Sequence, residues 1–210
     1  GDPGGLPELY FHGTPGSRLD ASFAEGDAAA AGVRIISFDR PGYGRSDRAP
    51  FGLRRIGQDA RAIADQLGLQ SFRTLGWSGG GPFALAAAAV IGDRVAGVGV
   101  ACGPGPFQQV PGALDGLDAA SLDALSLLPD DPEGAVEQFC VGSELMMSVR
   151  DDEQAFMGGM DALFGADAEV LADPMLRHQL FVTINEALRQ SFTSVGWDNA
   201  AWMGPWEIDL

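Results

Sequence analysis

A chain of 210 residues with 46% apolar side chains can bury the core of one domain, or of one domain with an insertion. Its formal net charge of −16, with no lysine at all, argues against nucleic acid and anionic membrane surfaces as partners. No run of 18 apolar residues predicts a membrane-crossing helix, and GDPGGLPELYF at the N-terminus lacks the basic start and apolar stretch of a signal peptide. The two cysteines, Cys102 and Cys140, make neither a disulfide framework nor a metal pattern, so a cytoplasmic location is the expectation.

In chain order, Leu9–His12 predicts a first strand, running into His12-Gly13-Thr14-Pro15-Gly16. Val33–Phe38 predicts a second, followed by DRPGYGRSD from Asp39 to Asp47. Phe72–Trp77 predicts a third, short and buried, which enters Gly76-Trp77-Ser78-Gly79-Gly80. Pro82 and the apolar run after it then predict a helix with proline in its first turn. With 30 glycines in 210 residues, chance alone supplies a G-x-S-x-G pattern in roughly a quarter of such chains. Its place between a strand and a helix adds the specificity. There it reads as a nucleophile elbow, a sharp, strained turn that lifts one hydroxyl clear of the sheet. Gly76 and Gly80 leave room for the strand and helix to approach, and Ala84, Ala87 and Ala88 permit close helix–sheet packing. Arg94–Ala101 predicts the fourth strand, ending at Cys102-Gly103-Pro104-Gly105 with no carboxylate. The glycines at 79–81 lack the Lys-Ser/Thr of a phosphate loop and the spacing of a dinucleotide fingerprint, so neither a cofactor nor a metal is expected.

From Pro106 onward the pattern changes. Helical segments are predicted at about 117–128, 132–148, 151–164 and 174–192, with Asp131-Pro132 and Asp173-Pro174 as helix starts. Charge changes at the same boundary. Residues 1–100 carry 10 Arg against 10 Asp and Glu, whereas residues 101–210 carry 3 Arg against 19. All six methionines lie in the second half, where flexible thioethers can line an adaptable pocket or simply pack helices together.

A serine nucleophile needs a base, usually histidine oriented by a carboxylate, and the chain has two histidines, His12 and His178. His178 falls off the centre of the apolar stripe formed by Leu176, Leu180, Phe181, Ile184, Ala187 and Leu188, which predicts an exposed or half-exposed position on a helix.

The HGTPG, DRPGYGRSD and GWSGG segments, in this order and spacing, together resemble the α/β-hydrolase family. That resemblance implies an α/β fold, a mostly parallel sheet in three layers with an α-helical cap inserted after residue 105. The core is expected over 1–105, the cap over 106–200, and a return to the sheet from 201. It implies Ser78 as nucleophile, with the backbone N–H groups of Thr14 and Gly79 as the oxyanion hole and Trp77 in the substrate pocket. His12, Asp39 and Arg40 become loop-shaping residues. The family's acid and histidine lie on loops after later strands; Asp198 and Asp209 are available carboxylates, but neither matches that position. The expectation is a serine hydrolase acting on a small, largely apolar ester or amide, with base and acid beyond residue 210. The core then lacks strands at both ends, and the remainder of its own polypeptide joins a small-molecule substrate as partner. Alternatives are a non-catalytic scaffold that kept the fold without its triad, a cofactor-free peroxidase, or a prolyl-aminopeptidase-like enzyme. The last has an HGGPG loop similar to HGTPG but typically GGSWGS at the elbow.

Overall fold

The computed structural model describes residues 1–160 and 168–209. Four strands, β1 (Leu6–Phe11), β2 (Val33–Ser37), β3 (Phe72–Trp77) and β4 (Val95–Ala101), form one parallel sheet in the order β2-β1-β3-β4. The helices α1 (Glu25–Ala30), α2 (Leu53–Gln66) and α3 (Gly81–Ile91) make the crossovers. The chain steps outward from β1 to β2, then returns past β1 to β3 and continues to β4. Because parallel crossovers are right-handed, this reversal puts α1 on one face and α2 with α3 on the other. α2 and α3 pack together at Gly57, where a Cβ would lie 2.8 Å from the Ala86 carbonyl oxygen.

The order reverses between β1 and β3, and in open α/β sheets ligands bind outside the carboxyl ends of the strands at that switch point. The loops after β1 and β3 carry Thr14 and Ser78. The core beneath them contains Leu9, Phe11, Phe72, Phe83 and Ile56, all fully or nearly fully buried. Thr74, polar and buried in β3, donates its hydroxyl to the Ala84 carbonyl of α3, which removes the cost of burying it. The edge strand β4 leaves Val98 and Val100 exposed.

The second half is helical: α4 (Ala119–Ser126), α5 (Pro132–Phe139), α6 (Glu144–Val149), α7 (Glu153–Met160), α8 (Pro174–Ala187) and α9 (Thr193–Met203). The Asp–Pro starts behave as their chemistry predicts. Asp131 caps the Gly134 N–H, and Asp173 caps those of Met175 and Leu176. The expected helix 132–148 is two helices, because the chain turns at Gly142, whose φ of +83° suits glycine alone. The segment 174–192 stops at Ala187. Of 151–164, the part up to Met160 is helical and residues 161–164 lie outside the described residues. α9 has no counterpart among the sequence expectations and runs through residue 200. No strand follows it among the described residues; Arg54, in the first turn of α2, donates to the Glu207 carbonyl. Among the described residues no helix is long and apolar enough to cross a membrane.

Candidate active site

β3 ends at Trp77, and Ser78 takes a φ of +51° before the short turn Ser78–Gly80 leads into α3. A non-glycine residue in the left-handed region is uncommon and costs energy; here it stands at the strand–helix junction, and Ser78 is half-buried. The glycines around it are dictated by space. A Cβ on Gly76 would strike the Gly80 carbonyl, and one on Gly80 would strike the carbonyl of Phe11. The segment after β4 backs the turn: a Cβ on Gly103 would lie 3.4 Å from the Ser78 carbonyl oxygen.

The loop after β1 lies alongside. A Cβ on Gly79 would strike the Thr14 hydroxyl and sit 3.4 Å from the Thr14 nitrogen, so these two residues abut. A Cβ on Gly13 would come within 3.7 Å of the Ser78 Cβ. Among the described residues no acceptor takes the Thr14 N–H. Trp77 is 37% exposed, and its ring borders Gly13, where a Cβ would lie 3.2 Å from Cε3. Ser78, Thr14, Gly79 and Trp77 are therefore gathered at one place. Cavities of about 140 and 230 Å³ lie elsewhere, where the segment 41–50 meets α9 and where the starts of α2 and α5 converge with α9. Ser78 lines neither.

His12 is fully buried and both ring nitrogens are engaged. Nε2 accepts the Arg40 N–H at 3.2 Å, which leaves the ring proton on Nδ1, 2.8 Å from the Gly13 carbonyl oxygen. Burial, reinforced by the Arg40 charge, holds its pKa well below the ordinary 6.5. A neutral ring with no free lone pair cannot act as a base. His178 lies on α8, exposed, 2.9 Å from Glu153. No hydrogen bond joins the Ser78 hydroxyl to an imidazole among the described residues.

The DRPGYGRSD loop is held by its own polar groups. The Asp39 carboxylate accepts the Arg18 N–H and guanidinium at 2.7 and 2.6 Å, and the Arg45 N–H at 3.1 Å. Arg18 reaches on to Glu186 of α8 at 2.8 Å. Asp20 accepts the N–H groups of Gly13 and Ser17 and the hydroxyl of Thr183 in α8. Burial pushes its carboxyl pKa up, and those donors pull against the rise.

Sequence reasoning leaves Asp198 as a spare carboxylate; the structure gives it a different position. It is fully buried and pairs with Arg40, Tyr43 and Thr14. Burial works against the Arg40 charge, but Asp198 outweighs it and keeps the guanidinium pKa raised. Burial, with the Asp198 charge, pushes the Tyr43 hydroxyl well above its ordinary range. Asp209 is exposed. A local pattern could not have revealed this partnership, although one carboxylate among Trp197, Ala200, Ala201 and Trp202 is a signal that something buried must pair with it.

A parallel sheet with Ser78 on a strained strand–helix turn, beside an amide that has no acceptor among the described residues at the topological switch point, is the arrangement of an α/β protein of hydrolase type. A family model for the alpha/beta hydrolase fold matches residues 9–139, and the chain belongs to that family. No match is found among curated proteins. Solved structures with the same fold include a bromoperoxidase from Bacillus anthracis, 22% identical with a TM-score of 0.65 over 94% of this chain and 66% of that one. A thermophilic esterase from Thermogutta terrifontis is 19% identical, with a TM-score of 0.64 over 96% and 66%. An esterase from Exiguobacterium antarcticum is 21% identical, with a TM-score of 0.63 over 94% and 66%. The chain thus spans about two-thirds of the length of these structures.

Proposed function

We propose that this chain carries the nucleophile of a serine hydrolase acting on a small, largely apolar ester or amide. The observation that carries the reading is Ser78 at φ +51° on the turn into α3, abutted by the loop that bears the Thr14 amide, which has no acceptor among the described residues. Ser78 Oγ bonds to the acyl carbon while its proton passes to an imidazole. The negative charge on the carbonyl oxygen is met by the N–H groups of Thr14 and Gly79. The leaving group departs with the proton, and water repeats the sequence on the acyl-enzyme. Trp77, half exposed beside Gly13, lines the acyl side, and helices α4–α9 serve as the cap. Since His12 is locked and His178 is paired with Glu153, the reading calls for a histidine and its carboxylate from outside these 210 residues.

The engagement of both histidines also favours a second reading, a non-catalytic scaffold. One experiment separates the two. In the full-length natural protein, a fluorophosphonate should label Ser78, and Ser78→Ala should remove labelling and esterase turnover by several powers of ten. Turnover that survives the substitution eliminates Ser78 as nucleophile, and absence of both labelling and turnover in the unaltered protein supports the scaffold.

A further inference from the structure

Asp198 and Arg40 show no exposed surface, and the guanidinium bonds to two successive peptide units, His12–Gly13 and Gly13–Thr14. Asp198 Oδ1 accepts Arg40 Nε at 3.0 Å. Oδ2 accepts Arg40 Nη2 at 2.5 Å, the Tyr43 hydroxyl at 2.6 Å and the Thr14 hydroxyl at 2.6 Å. The guanidinium continues to the loop after β1, with Nη1 donating to the His12 carbonyl at 2.6 Å and Nη2 to the Gly13 carbonyl at 3.1 Å. The His12 ring donates to that same Gly13 carbonyl at 2.8 Å.

The Gly13 carbonyl and the Thr14 N–H are the two ends of one peptide plane, and in a trans peptide they point in opposite directions. Drawing the carbonyl oxygen into the buried Arg40–His12 cluster turns the N–H away from that cluster. Asp198 then holds the Thr14 side chain on the next atom along. A loop containing Gly13 has little intrinsic resistance to rotating this plane, so its orientation depends on these bonds.

We propose that Asp198 is a positioning residue for the Ser78 site: paired with Arg40, it locks the Gly13–Thr14 peptide so that its N–H faces the reacting carbonyl. The proposal rests on the serine-hydrolase reading above. Asp198 lies on α9 and touches no reacting atom; it acts through Arg40 and Thr14. The competing explanation is that the ion pair merely fastens α9 to the core.

The test uses the full-length protein with Asp198→Asn, Thr14→Val and Thr14→Ser. Each is measured for kcat, KM, thermal transition and affinity for a boronic acid whose tetrahedral adduct puts an oxygen where the oxyanion would be. Thr14→Val leaves the ion pair intact, so it decides the question even where Asp198→Asn does not fold. We expect Thr14→Val to lower kcat and boronate affinity in parallel by about tenfold, with KM within about twofold. Thr14→Ser, which keeps the hydroxyl, should recover most of that. A folded Asp198→Asn should lose roughly a hundredfold, approaching the loss of an oxyanion donor. Variants that melt earlier but keep kcat and boronate affinity would overturn the proposal and leave Asp198 a structural fastener. An unaltered protein that a fluorophosphonate does not label overturns the hydrolase reading itself, and this inference with it.

Discussion

His12 is a buried ring kept neutral by its surroundings, and that has a consequence for stability against pH. Folded, it binds no second proton until the pH is well below 6.5; unfolded, it gains one near 6.5. Below that value the unfolded chain holds more protons, so stability falls as pH drops, by about 1.4 kcal/mol per pH unit from this group alone. His12→Gln should be less stable at neutral pH but should lose this slope. Denaturant midpoints followed from pH 7 to pH 5 test it, and parallel curves for the two proteins would refute it. The role of His12 is readable from the sequence only through the family resemblance, since nothing in LYFHGTPG tells a buried structural ring from an exposed base. The setting of Ser78 is readable more directly, because a strand–turn–helix junction is a local pattern, whereas Thr14 and Gly79 are singled out, like His12, through the resemblance. Asp198 is not, because its partners are 155, 158 and 184 residues away.

At the scale of elements, the four strands and the elbow follow from short apolar runs bounded by glycine and proline; β3 has the expected bounds, β2 and β4 each differ by one residue at one end, and β1 starts three residues earlier and ends one earlier. Helix α9 escapes the same reasoning for identifiable causes. It starts without a side-chain cap, includes the β-branched Thr193 and Val195, and contains Gly196, all of which lower helix propensity. Tertiary packing supplies what propensity withholds. α9 lies against α5, and Gly196 is a point of close approach, where a Cβ would stand 2.9 Å from the Cys140 sulfur and the Val136 carbonyl oxygen. Gly196→Val should therefore destabilise the protein by about 1–3 kcal/mol through overpacking, despite conserving helix-compatible backbone angles. Gly158→Ala, where nothing lies within 4 Å of the added methyl, should be neutral or slightly stabilising. Chemical denaturation of the pair checks both; equal midpoints would mean that α5 and α9 are not closely packed in solution.

At the scale of the whole molecule, charge is divided between the halves. The net negative charge resides entirely in residues 101–210, the part whose described residues include helices α4–α9. If those carboxylates faced the entrance to Ser78, cationic esters would be steered in ahead of anionic ones at low salt, and the preference would fade as ions screen it over about 8–10 Å. Many of them stand on exposed helix surfaces, Glu133, Glu137 and Glu144 among them, which favours solubility over steering. We accordingly expect kcat/KM for matched cationic, neutral and anionic esters to differ by less than about threefold at low ionic strength. A large, salt-sensitive preference for the cation would assign the acidic half a part in substrate capture.

The contacts around residues 12–20 join that segment to Thr183, Glu186 and Asp198, 163 to 184 residues further along the chain. During synthesis, β1, β3 and Ser78 leave the ribosome well before those partners exist, and loops of this length close slowly. The serine is thus made early, while the peptide beside it receives its anchor late. A nascent chain would carry a strained serine turn next to a loop still free to rotate, so the peptide beside the serine would gain its fixed orientation only with α8 and α9. Order of manufacture, and not only geometry, would then govern when the architecture around the hydroxyl is in place.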